Sequence, residues 1–506
     1  MQKNVLEYLE QTLPRVPDKI AFADDSMQLT FAQVSAQARG IGTALHQKAL
    51  YNEPVVVFME KSPAAITAFF GVIYAGCYYV PLDVEMPAFR IEMILEQLKP
   101  RAVICDAKTQ PMLEKFGYHG ASYLYDEIAA SPADDAALAQ IRAKQLDIDP
   151  IYIVFTSGST GVPKGILACH RSVIDYIEHL SETLKFDGDT VFGNQSPLYF
   201  DACLKELYPT LKFGATTWLV PKALFSFPIK LVEFLNEHQI NTVCWVVSAL
   251  TMISATGTFG FVKPETLRTV AFGSEVFPVK QFRLWREALP QASFTNLYGP
   301  TECTGMSCYF HVDREFEDTE AIPIGRPFDN TGILLLDENN QEAQAGKPGE
   351  ICIRGTCITM GYFGQPDKTA EVFTQNPLQT RYPELIYRTG DIAQYNENGE
   401  LVFVSRKDYQ IKHMGHRIEL GEIEINAGLY DGIEAVGCVY DKVKNKIVLY
   451  YCGGVEKAAL AAYLKERLPR YMQPNVIRQI DAMPHTPNGK LDRKSLLAMY
   501  TESLAK

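Results

Sequence analysis

The sequence lacks closely spaced cysteines, although it contains 11 cysteines in 506 residues. They are scattered singly, and no C-x-x-C pair occurs. Zinc sites and the disulfide frameworks of secreted domains are both built from closely and regularly spaced cysteines. The pattern therefore predicts reduced thiols in a cytoplasmic protein, with neither a disulfide framework nor a zinc site.

The chain also lacks clusters of lysine and arginine. Its formal net charge at pH 7 is -12, from 48 basic and 60 acidic residues. Nucleic-acid binding requires clustered positive charge against the phosphate backbone, so nucleic acid is not the expected partner. Because 47% of the residues are hydrophobic and 21% are charged, we expect a globular protein of several packed units.

Apolar segments long enough to cross a membrane are scarce. The N-terminal stretch "MQKNVLEYLEQTLPRVPDK" has no apolar core, which predicts no signal peptide. One run, Ala64 to Val80, approaches the lower length limit for a membrane span. It is interrupted by Gly71 and Gly76, and Lys61 and Asp83 lie close on either side. We expect a buried helix followed by a buried strand, and no membrane span.

Strand-like segments alternate with helical patterns through most of the chain. The strand-like segments include "PVVVFME", "RAVICDA", "IYIVFT", "TVFGNQSP", "TTWLV", "NTVCWVV" and "RTVAFG", and the helical ones include "KLVEFLNEHQ" and "VKQFRLWREAL". This alternation is typical of mostly parallel sheets covered by helices. The expected fold class is α/β, with two such sheets in a large N-terminal domain.

The pattern changes after about Asp329. The segments "TGILLLD", "GEICIRG" and "LVFVSR" are strand-like without long helices between them, and Asn398-Gly399 lies between two alternating strands in a strong hairpin pattern. We expect a small β unit at about residues 325–405 within a domain of residues 1–405. Residues 406–506 are then a small, mobile α+β domain, in which "RIELGEIEINAGL" is predicted to be helical.

The segment "FTSGSTGVPKG", Phe155 to Gly165, combines glycines and hydroxyl groups with one lysine. A P-loop requires glycine before that lysine and serine or threonine after it. Pro163 precedes Lys164 and Gly165 follows it, so a P-loop NTPase does not fit. The segment follows a strand and is expected to precede a helix, where backbone N–H groups can surround a phosphate. Taken alone, it could equally be a surface loop rich in serine and glycine.

Four further segments follow this loop in order. They are "NLYGPTE" (Asn296 to Glu302), "YRTGD" (Tyr387 to Asp391), "SRKDYQIKHMGHRIELGEIE" (Ser405 to Glu424) and "PNGKLDRKSL" (Pro487 to Leu496). Each could be a turn by itself. Together with the loop they resemble the adenylate-forming superfamily. Within it, the chain is similar to the amino-acid adenylation domains of nonribosomal peptide synthetases and to stand-alone D-alanine:carrier-protein ligases.

The resemblance covers nearly the whole chain and implies a two-step reaction. ATP and a carboxylic acid give an acyl-adenylate and pyrophosphate, and the acyl group then passes to a thiol. Because a carboxylate must approach a polyanionic nucleotide, positive charge directed at both groups lowers the barrier. Lys490 of "PNGK" matches the family lysine that bridges carboxylate and phosphate oxygens, and it is the expected catalytic residue. The alternative is a solvated lysine at a loop tip.

The other nucleotide contacts are implied by the same motifs. Glu302 matches the ligand of Mg²⁺, Asp391 the carboxylate that accepts both ribose hydroxyls, and Tyr298 the ring that stacks on adenine. Asp408 matches the hinge of the C-terminal domain, although "SRKD" departs from the family's commoner Gly-Arg start. The expected ATP-binding residues are Thr156, Ser157, Gly158, Ser159, Thr160, Lys164, Asn296, Leu297, Tyr298, Gly299, Pro300, Thr301, Asp391, Arg406 and Lys490.

The thiol of the second step is expected on a separate protein. By the resemblance, a fused carrier would appear as a further domain with a Leu-Gly-Gly-x-Ser-like site. Only ten residues follow Leu496, and the sequence contains no such site. A condensation motif, His-His-x-x-x-Asp-Gly, is also missing. We therefore expect transfer to the phosphopantetheine thiol of a carrier protein in trans.

The stretch "LYFDACLKELYP" matches the family segment whose aspartate binds the α-ammonium of the substrate. Asp201 occupies that position, and because a buried carboxylate without a cation is costly, an amino acid is its natural partner. Asp201 could instead cap the following helix, and the two roles are compatible. By the same match, the pocket is lined by Asp201, Ala202, Lys205, Trp245, Val270, Phe272, Leu297, Gly305 and Met306.

Lys205 is the unusual member of this expected pocket. It could pair with the side-chain carboxylate of an acidic substrate, or it could extend to solvent and leave only its stem in the pocket. The bulky side chains of Trp245, Phe272, Leu297 and Met306 predict a small cavity. Alanine, serine or a short acidic amino acid, of either chirality, is therefore the expected substrate.

Two other functions compete with an AMP-forming amino acid:carrier-protein ligase. An acyl- or aryl-CoA synthetase would also form an adenylate, but Asp201 argues against it. A degenerate adenylate-binding or regulatory protein would have damaged motifs, whereas Glu302, Asp391, Lys490 and the Ser/Thr/Gly loop are intact.

Overall fold

A computed structural model describes residues 2–158, 161–407, 410–485 and 491–505 of the chain. Four residues with expected roles, Ser159, Thr160, Asp408 and Lys490, lie outside this part of the chain.

Two mainly parallel sheets and their helices account for most of the molecule. The strands are β1 (Ile20–Ala23), β2 (Gln28–Thr30), β3 (Pro54–Phe58), β4 (Tyr78–Leu82), β5 (Ala102–Cys105), β6 (Ala121–Leu124), β7 (Pro150–Thr156), β8 (Lys164–Cys169), β9 (Val191–Asn194), β10 (Thr216–Leu219), β11 (Thr242–Val246), β12 (Thr269–Gly273), β13 (Ser293–Tyr298), β14 (Cys308–His311) and β15 (Arg326–Pro327). The helices are α1 (Leu6–Thr12), α2 (Phe31–Gln47), α3 (Pro63–Tyr74), α4 (Ala88–Leu98), α5 (Gln110–Lys115), α6 (Tyr125–Ala129), α7 (Asp135–Lys144), α8 (His170–Leu184), α9 (Leu204–Phe213), α10 (Pro228–Glu237), α11 (Val247–Ala255) and α12 (Val279–Ala288).

The order of strands follows from the alternation of strands and helices. One sheet has the order β6-β5-β3-β4-β7-β8, and the other has the order β15-β14-β13-β12-β11-β9-β10-β1-β2. Pairs such as β3–β4 and β11–β12 are parallel, and a parallel pair needs a crossover, which the intervening helix supplies. The expected α/β class with two helix-covered sheets is confirmed.

Helix α3 lies in the core between these sheets. Ser62 caps it by accepting a hydrogen bond from the backbone N–H of Ala65 at 3.2 Å, and Pro63 occupies its first turn. Every residue of α3 and of β4 is buried. The apolar run from Ala64 to Val80 is therefore a buried helix followed by a buried strand, as predicted. Within the described ranges, no helix combines the length and the apolar character that crossing a membrane requires.

An antiparallel sheet follows these layers. It contains β16 (Thr331–Leu336), β17 (Gly349–Gly355), β18 (Phe373–Gln375), β19 (Leu385–Tyr395) and β20 (Leu401–Arg406), with α13 (Pro366–Val372) before β18. Strands β19 and β20 form the hairpin predicted at Asn398-Gly399. Gly399 has φ +73°, a left-handed conformation that glycine adopts without strain.

The last part of the chain, called here the C-terminal unit, is a small α+β layer from residue 410 onward. It contains β21 (Gln410–His413), β22 (His416–Glu419), α14 (Leu420–Gly428), β23 (Ile433–Asp441), β24 (Lys446–Gly453), α15 (Lys457–Arg467), β25 (Val476–Gln479) and α16 (Arg493–Ala505). Its strands form the hairpin β21–β22 and the sheet β23-β24-β25.

Two local expectations were wrong. The glycine-rich loop after β7 precedes a strand, because residues 164–169 pair with β7 as an antiparallel hairpin, and α8 begins only at His170. Likewise, "RIELGEIEINAGL" is not helical throughout. Its first residues belong to β22, where Arg417 pairs across the hairpin with Lys412.

Candidate active site

The central parallel strands end at one edge of the larger sheet, and residues that follow them line two cavities. Strands β11, β12 and β13 end at Val246, Gly273 and Tyr298. Ligands of open α/β sheets bind at the carboxyl ends of the strands. The hairpin β21–β22 of the C-terminal unit covers this edge, and it contributes Lys412, Gly415, His416 and Arg417 to the cavity walls.

The larger cavity, of about 920 Å³, lies between β13 and the C-terminal unit. Asn296, Leu297 and Tyr298 of β13 line it, together with Arg406 and Lys412. The side-chain amide of Asn296 donates to the carbonyl oxygen of Pro323 at 2.8 Å, which fixes its orientation in the wall. All of these except Lys412 were expected to bind ATP, and the structure brings them together.

Asp391 joins this wall through two short hydrogen bonds. The hydroxyl of Tyr298 donates to one carboxylate oxygen at 2.6 Å, and the guanidinium of Arg406 donates to the other at 2.5 Å. Asp391 and Arg406 are partners across the β19–β20 hairpin. Burial, and then the charge of Asp391, raises the pKa of Tyr298 well above its usual value, so the phenol remains a donor. Arg406 therefore contacts Asp391 directly.

The glycine-rich loop leaves β7 at Thr156 and is in contact with the C-terminal unit. The hydroxyl of Ser157 donates to the carbonyl oxygen of Arg417 at 2.8 Å and accepts from the backbone N–H of Glu419 at 3.2 Å. A Cβ atom at Gly158 would lie 2.0 Å from the carbonyl oxygen of Val162, so only glycine fits there.

The backbone N–H of Gly158 donates to the carboxylate of Glu422 at 3.0 Å. This carboxylate also forms a buried ion pair with Arg90 of α4, and Arg90 contacts the carbonyl oxygen of Thr156 at 3.4 Å. A carboxylate of the C-terminal unit therefore accepts the hydrogen bond of a loop N–H group that is expected to bind phosphate. Burial raises the pKa of Glu422, and the charge of Arg90 offsets part of the effect.

Lys164 is the first residue of β8 and is largely buried. Its ammonium lies 3.6 Å from the carboxylate of Glu419 and 5.3 Å from the ring centre of Tyr362. Burial, followed by the charge of Arg417, lowers the pKa of Lys164. Its ammonium is therefore directed at a carboxylate of β22 in the C-terminal unit.

Glu302 is fully buried in the short turn after β13. Arg417 donates to one of its carboxylate oxygens at 2.6 Å, and the hydroxyl of Tyr362 donates to the other at 2.9 Å. Burial alone would raise the pKa of Glu302, but Arg417 and Lys164 outweigh it and lower the pKa to about 2. The carboxylate is thus ionised, as a ligand of Mg²⁺ must be. Mg²⁺ is commonly held by one or two carboxylates and the phosphates of a substrate. Glu302 has the chemistry of such a ligand, and in this structure Arg417 and Tyr362 bind its two oxygens.

The smaller cavity, of about 100 Å³, lies beside the turn that precedes α9. Four residues of the expected substrate pocket line it, Asp201, Ala202, Gly305 and Met306. Expected ATP-binding residues line it as well: Thr156, Ser157, Gly299, Pro300, Thr301, Asp391 and Arg406. Asp201 is half-buried and begins the turn, and the N-cap position belongs to Phe200. Desolvation raises the pKa of Asp201 to about 6, although Lys205 and Thr301 oppose the shift. Among the described residues, Asp201 has no cation within 4 Å.

Five residues of the expected pocket do not line this cavity within the described ranges. Lys205 is 4% exposed, so its ammonium does not reach solvent. Trp245, Val270 and Phe272 belong to the core packed under α10 to α12, and the indole N–H of Trp245 donates to the carbonyl oxygen of Gly193 at 2.6 Å. Leu297 lines the larger cavity instead.

A buried polar cluster surrounds Lys205. Lys61 donates to the backbone carbonyl of Asn194 at 3.0 Å, and the side chain of Asn194 donates to Glu206 at 3.2 Å. Desolvation raises the pKa of Glu206 to about 7, while the charges of Lys205 and Lys61 oppose it. Desolvation also lowers the pKa of Lys61 to about 8. Glu206 thus supplies negative charge near Lys205 without any substrate.

Several residues of the walls were not anticipated from the sequence. Arg90 and Glu422 bring α4 and α14 to the phosphate loop, and Arg417 neutralises Glu302. Tyr176 of α8 lines the smaller cavity. His416 lies above the same cavity, with its ring stacked on Tyr471 at 3.7 Å. The alternation of polar and apolar residues in "KHMGHRIELGE" could have indicated a hairpin, but not its position.

Comparison with known proteins agrees with this fold. The model of the family "AMP-binding enzyme" matches residues 9–363, and the chain belongs to that family. It is therefore an adenylate-forming ligase, of the type that forms the adenylation domains of nonribosomal peptide synthetases.

Among its relatives is tyrocidine synthase 3 of Brevibacillus parabrevis, 32% identical over 499 residues. That match covers 97% of this chain but 8% of the relative, so the chain spans only a small part of its length. The adenylation domain AlmE of Vibrio cholerae, solved with glycyl-adenosine-5'-phosphate, has a TM-score of 0.84 at 21% identity, with 99% and 98% coverage. An artificially fused adenylation–PCP di-domain from Klebsiella oxytoca has a TM-score of 0.80 at 22% identity, with 94% and 93% coverage.

Proposed function

We propose that the chain activates a small amino acid with ATP and Mg²⁺ and transfers it to the phosphopantetheine thiol of a separate carrier protein. The observation that carries the amino-acid part is Asp201. Its carboxylate lies in the smaller cavity, desolvation raises its pKa to about 6 although Lys205 opposes the shift, and no cation of the described residues lies within 4 Å of it. A substrate α-ammonium would supply the missing charge.

In the first half-reaction, one oxygen of the substrate carboxylate attacks the α-phosphorus of ATP. An O–P bond forms, the bond from the α-phosphorus to the bridging β-oxygen breaks, and pyrophosphate leaves with the electron pair. Bound Mg²⁺ would neutralise phosphate charge at Glu302. Asp201 holds the ammonium, Asp391 the ribose hydroxyls, and Ser157, Gly158 and Lys164 face the phosphates.

In the second half-reaction, the thiol sulfur attacks the acyl carbon. A C–S bond forms, the bond from the acyl carbon to the AMP oxygen breaks, and AMP leaves. Lys490 would stabilise the first step in the role that its motif implies, and Asp408 would be the hinge between the domains of residues 1–405 and 406–506. Both assignments remain proposals from the motifs. The adenylation–PCP fusion among the similar structures supports a carrier protein as the acceptor.

The proposed function is tested by amino-acid-dependent ATP–pyrophosphate exchange over all L- and D-amino acids. We expect exchange with a small set of short amino acids and none without substrate. Asp201→Asn is the matched variant, since it keeps the size of the side chain and removes its charge. Absence of exchange with every amino acid would overturn the proposal. Incubating the loaded enzyme with a holo-carrier protein or with CoA then distinguishes the proposed acceptor from that of a CoA synthetase.

A further inference from the structure

Tyr176 lies at the inner wall of the smaller cavity, on α8, outside every motif that indicated the site. It is 2% exposed and lines the cavity together with Asp201, Gly305 and Met306. Its hydroxyl oxygen is buried in the cavity wall.

The ring of Tyr176 is packed directly against Gly305. A Cβ atom at Gly305 would lie 2.9 Å from Cε1, 3.0 Å from Cζ and 3.2 Å from the hydroxyl oxygen of Tyr176. Gly305 also has φ +99°, which other residues rarely adopt. Since residue 305 has no side chain here, the tyrosine ring takes the space that one would occupy.

The phenol of Tyr176 is neutral. Desolvation, followed by the charges of Asp201, Cys244 and Glu206, raises the pKa of Tyr176 well above its usual value.

We infer that Tyr176 is a specificity-determining residue, whose ring limits the substrate to amino acids with a short side chain. This inference rests on the proposed function, in which Asp201 binds the α-ammonium. Asp201 and Tyr176 line the same cavity, together with Gly305, so the ring that packs against Gly305 takes space beside a substrate held at Asp201. Glycine, alanine and serine satisfy the limit, whereas leucine and methionine do not.

The test is amino-acid-dependent ATP–pyrophosphate exchange with Tyr176→Ala, Tyr176→Phe and Ile177→Ala. Truncation to alanine should raise kcat/KM for leucine or methionine relative to alanine by about 10- to 200-fold, the range for hydrophobic pockets. Tyr176→Phe keeps the ring and should keep the preference for short side chains. Ile177→Ala removes a buried side chain of the same helix that is not part of the cavity wall, and it should change stability without changing selectivity.

The outcomes separate this inference from the proposed function. Exchange by the wild type with a large amino acid such as leucine or methionine would overturn the role of Tyr176 and leave the proposed function standing. Absence of exchange with any amino acid would overturn both. If Tyr176→Ala does not fold, Tyr176→Leu provides the smaller truncation and should admit longer side chains. Unchanged selectivity in a folded Tyr176→Leu would contradict the inference.

Discussion

The amino-acid end and the phosphate end of the site differ in how far the protein itself occupies them. At the amino-acid end, no cation of the described residues lies within 4 Å of Asp201. At the phosphate end, Ser157 and Gly158 are bonded to the C-terminal unit, and Glu302 is paired with Arg417. The amino-acid end is open to its ligand, whereas groups of the same chain already bind the polar groups of the phosphate end.

This difference indicates an order of events in the proposed reaction. The carboxylate of Glu422 occupies an N–H group that would bind phosphate, so ATP must displace it. A ligand that binds only the displaced arrangement shifts the population toward that arrangement. We therefore propose that ATP binding moves the C-terminal unit, whereas amino-acid binding leaves it in place.

The largest effect is expected at Lys490. Lys490→Ala should lower the rate of ATP–pyrophosphate exchange about 100- to 1,000-fold, as when one stabilising donor is removed from a transition state. The affinity for ATP should change little, because the role concerns the developing charge. Lys465→Ala, an exposed lysine of the same unit, is the control. A normal exchange rate in Lys490→Ala would show that the catalytic charge lies elsewhere.

Two isosteric variants should each affect only one of the two ends. Asp201→Asn leaves the ammonium unpaired and should raise KM for the amino acid about 100-fold or more, with KM for ATP nearly unchanged. Asp391→Asn should have the opposite pattern, because the ribose loses its acceptor. Initial rates of exchange with either substrate varied give both constants. If both variants raise the same KM, the amino acid and ATP do not bind at separate ends of the site.

Of the two KM values, only the KM for the amino acid should depend on pH. Since desolvation raises the pKa of Asp201 to about 6, protonation below that pH removes the negative charge that holds the ammonium. KM for the amino acid should therefore rise about tenfold for each pH unit below 6, and it should level off above pH 7. Lys205, Thr301 and Glu302 act on the same carboxyl. Asp201→Asn should abolish this pH dependence of KM. A KM for the amino acid that does not change with pH in the wild type would contradict the role of Asp201.

A smaller effect is expected when the contact between the C-terminal unit and the phosphate end is weakened. Glu422→Gln removes the charge that pairs with Arg90 across the two parts of the molecule, and it should lower KM for ATP about 3- to 10-fold by raising the population that can bind it. Glu424→Gln is the matched control, because Glu424 pairs with Arg493 inside the C-terminal unit at 2.6 Å. A raised KM for ATP in Glu422→Gln would mean that this contact assists binding.

The fold was largely predictable because its signals are local. Strand–helix alternation indicated two parallel sheets, and the Asn398-Gly399 dipeptide indicated the β19–β20 hairpin. The glycine-rich loop misled the prediction because a hairpin strand and the first turn of a helix have similar apolar patterns. Only the pairing of Gly165 with Phe155, a contact that depends on the folded sheet, distinguishes them.

The site was predictable where a motif carries its own chemistry and unpredictable where a contact is long-range. Tyr298 and Asp391 were expected at the nucleotide and do meet. The contact of Arg90 with Glu422 joins residues 332 positions apart, and nothing near either residue indicates it. Trp245 and Phe272 were expected in the pocket but pack in the core. In a parallel sheet both faces are apolar, so the sequence does not tell which face a residue occupies.

The most direct test of the central claim measures the position of the C-terminal unit in solution. Val276 and Val443 are 60% and 94% exposed, and they line the larger cavity from its two sides. The described cysteines are all buried, so cysteines introduced at these two positions can be spin-labelled selectively. A Val276→Cys, Phe261→Cys pair is the control, since both positions lie outside the C-terminal unit.

Pulsed electron paramagnetic resonance on the doubly labelled protein then gives the distance between the labels. The account predicts a short distance without ligand, the same distance with the amino acid alone, and a longer one with saturating MgATP, while the control pair stays constant. An unchanged distance with MgATP bound would show that the phosphate end accepts ATP without moving the C-terminal unit, and it would contradict the account.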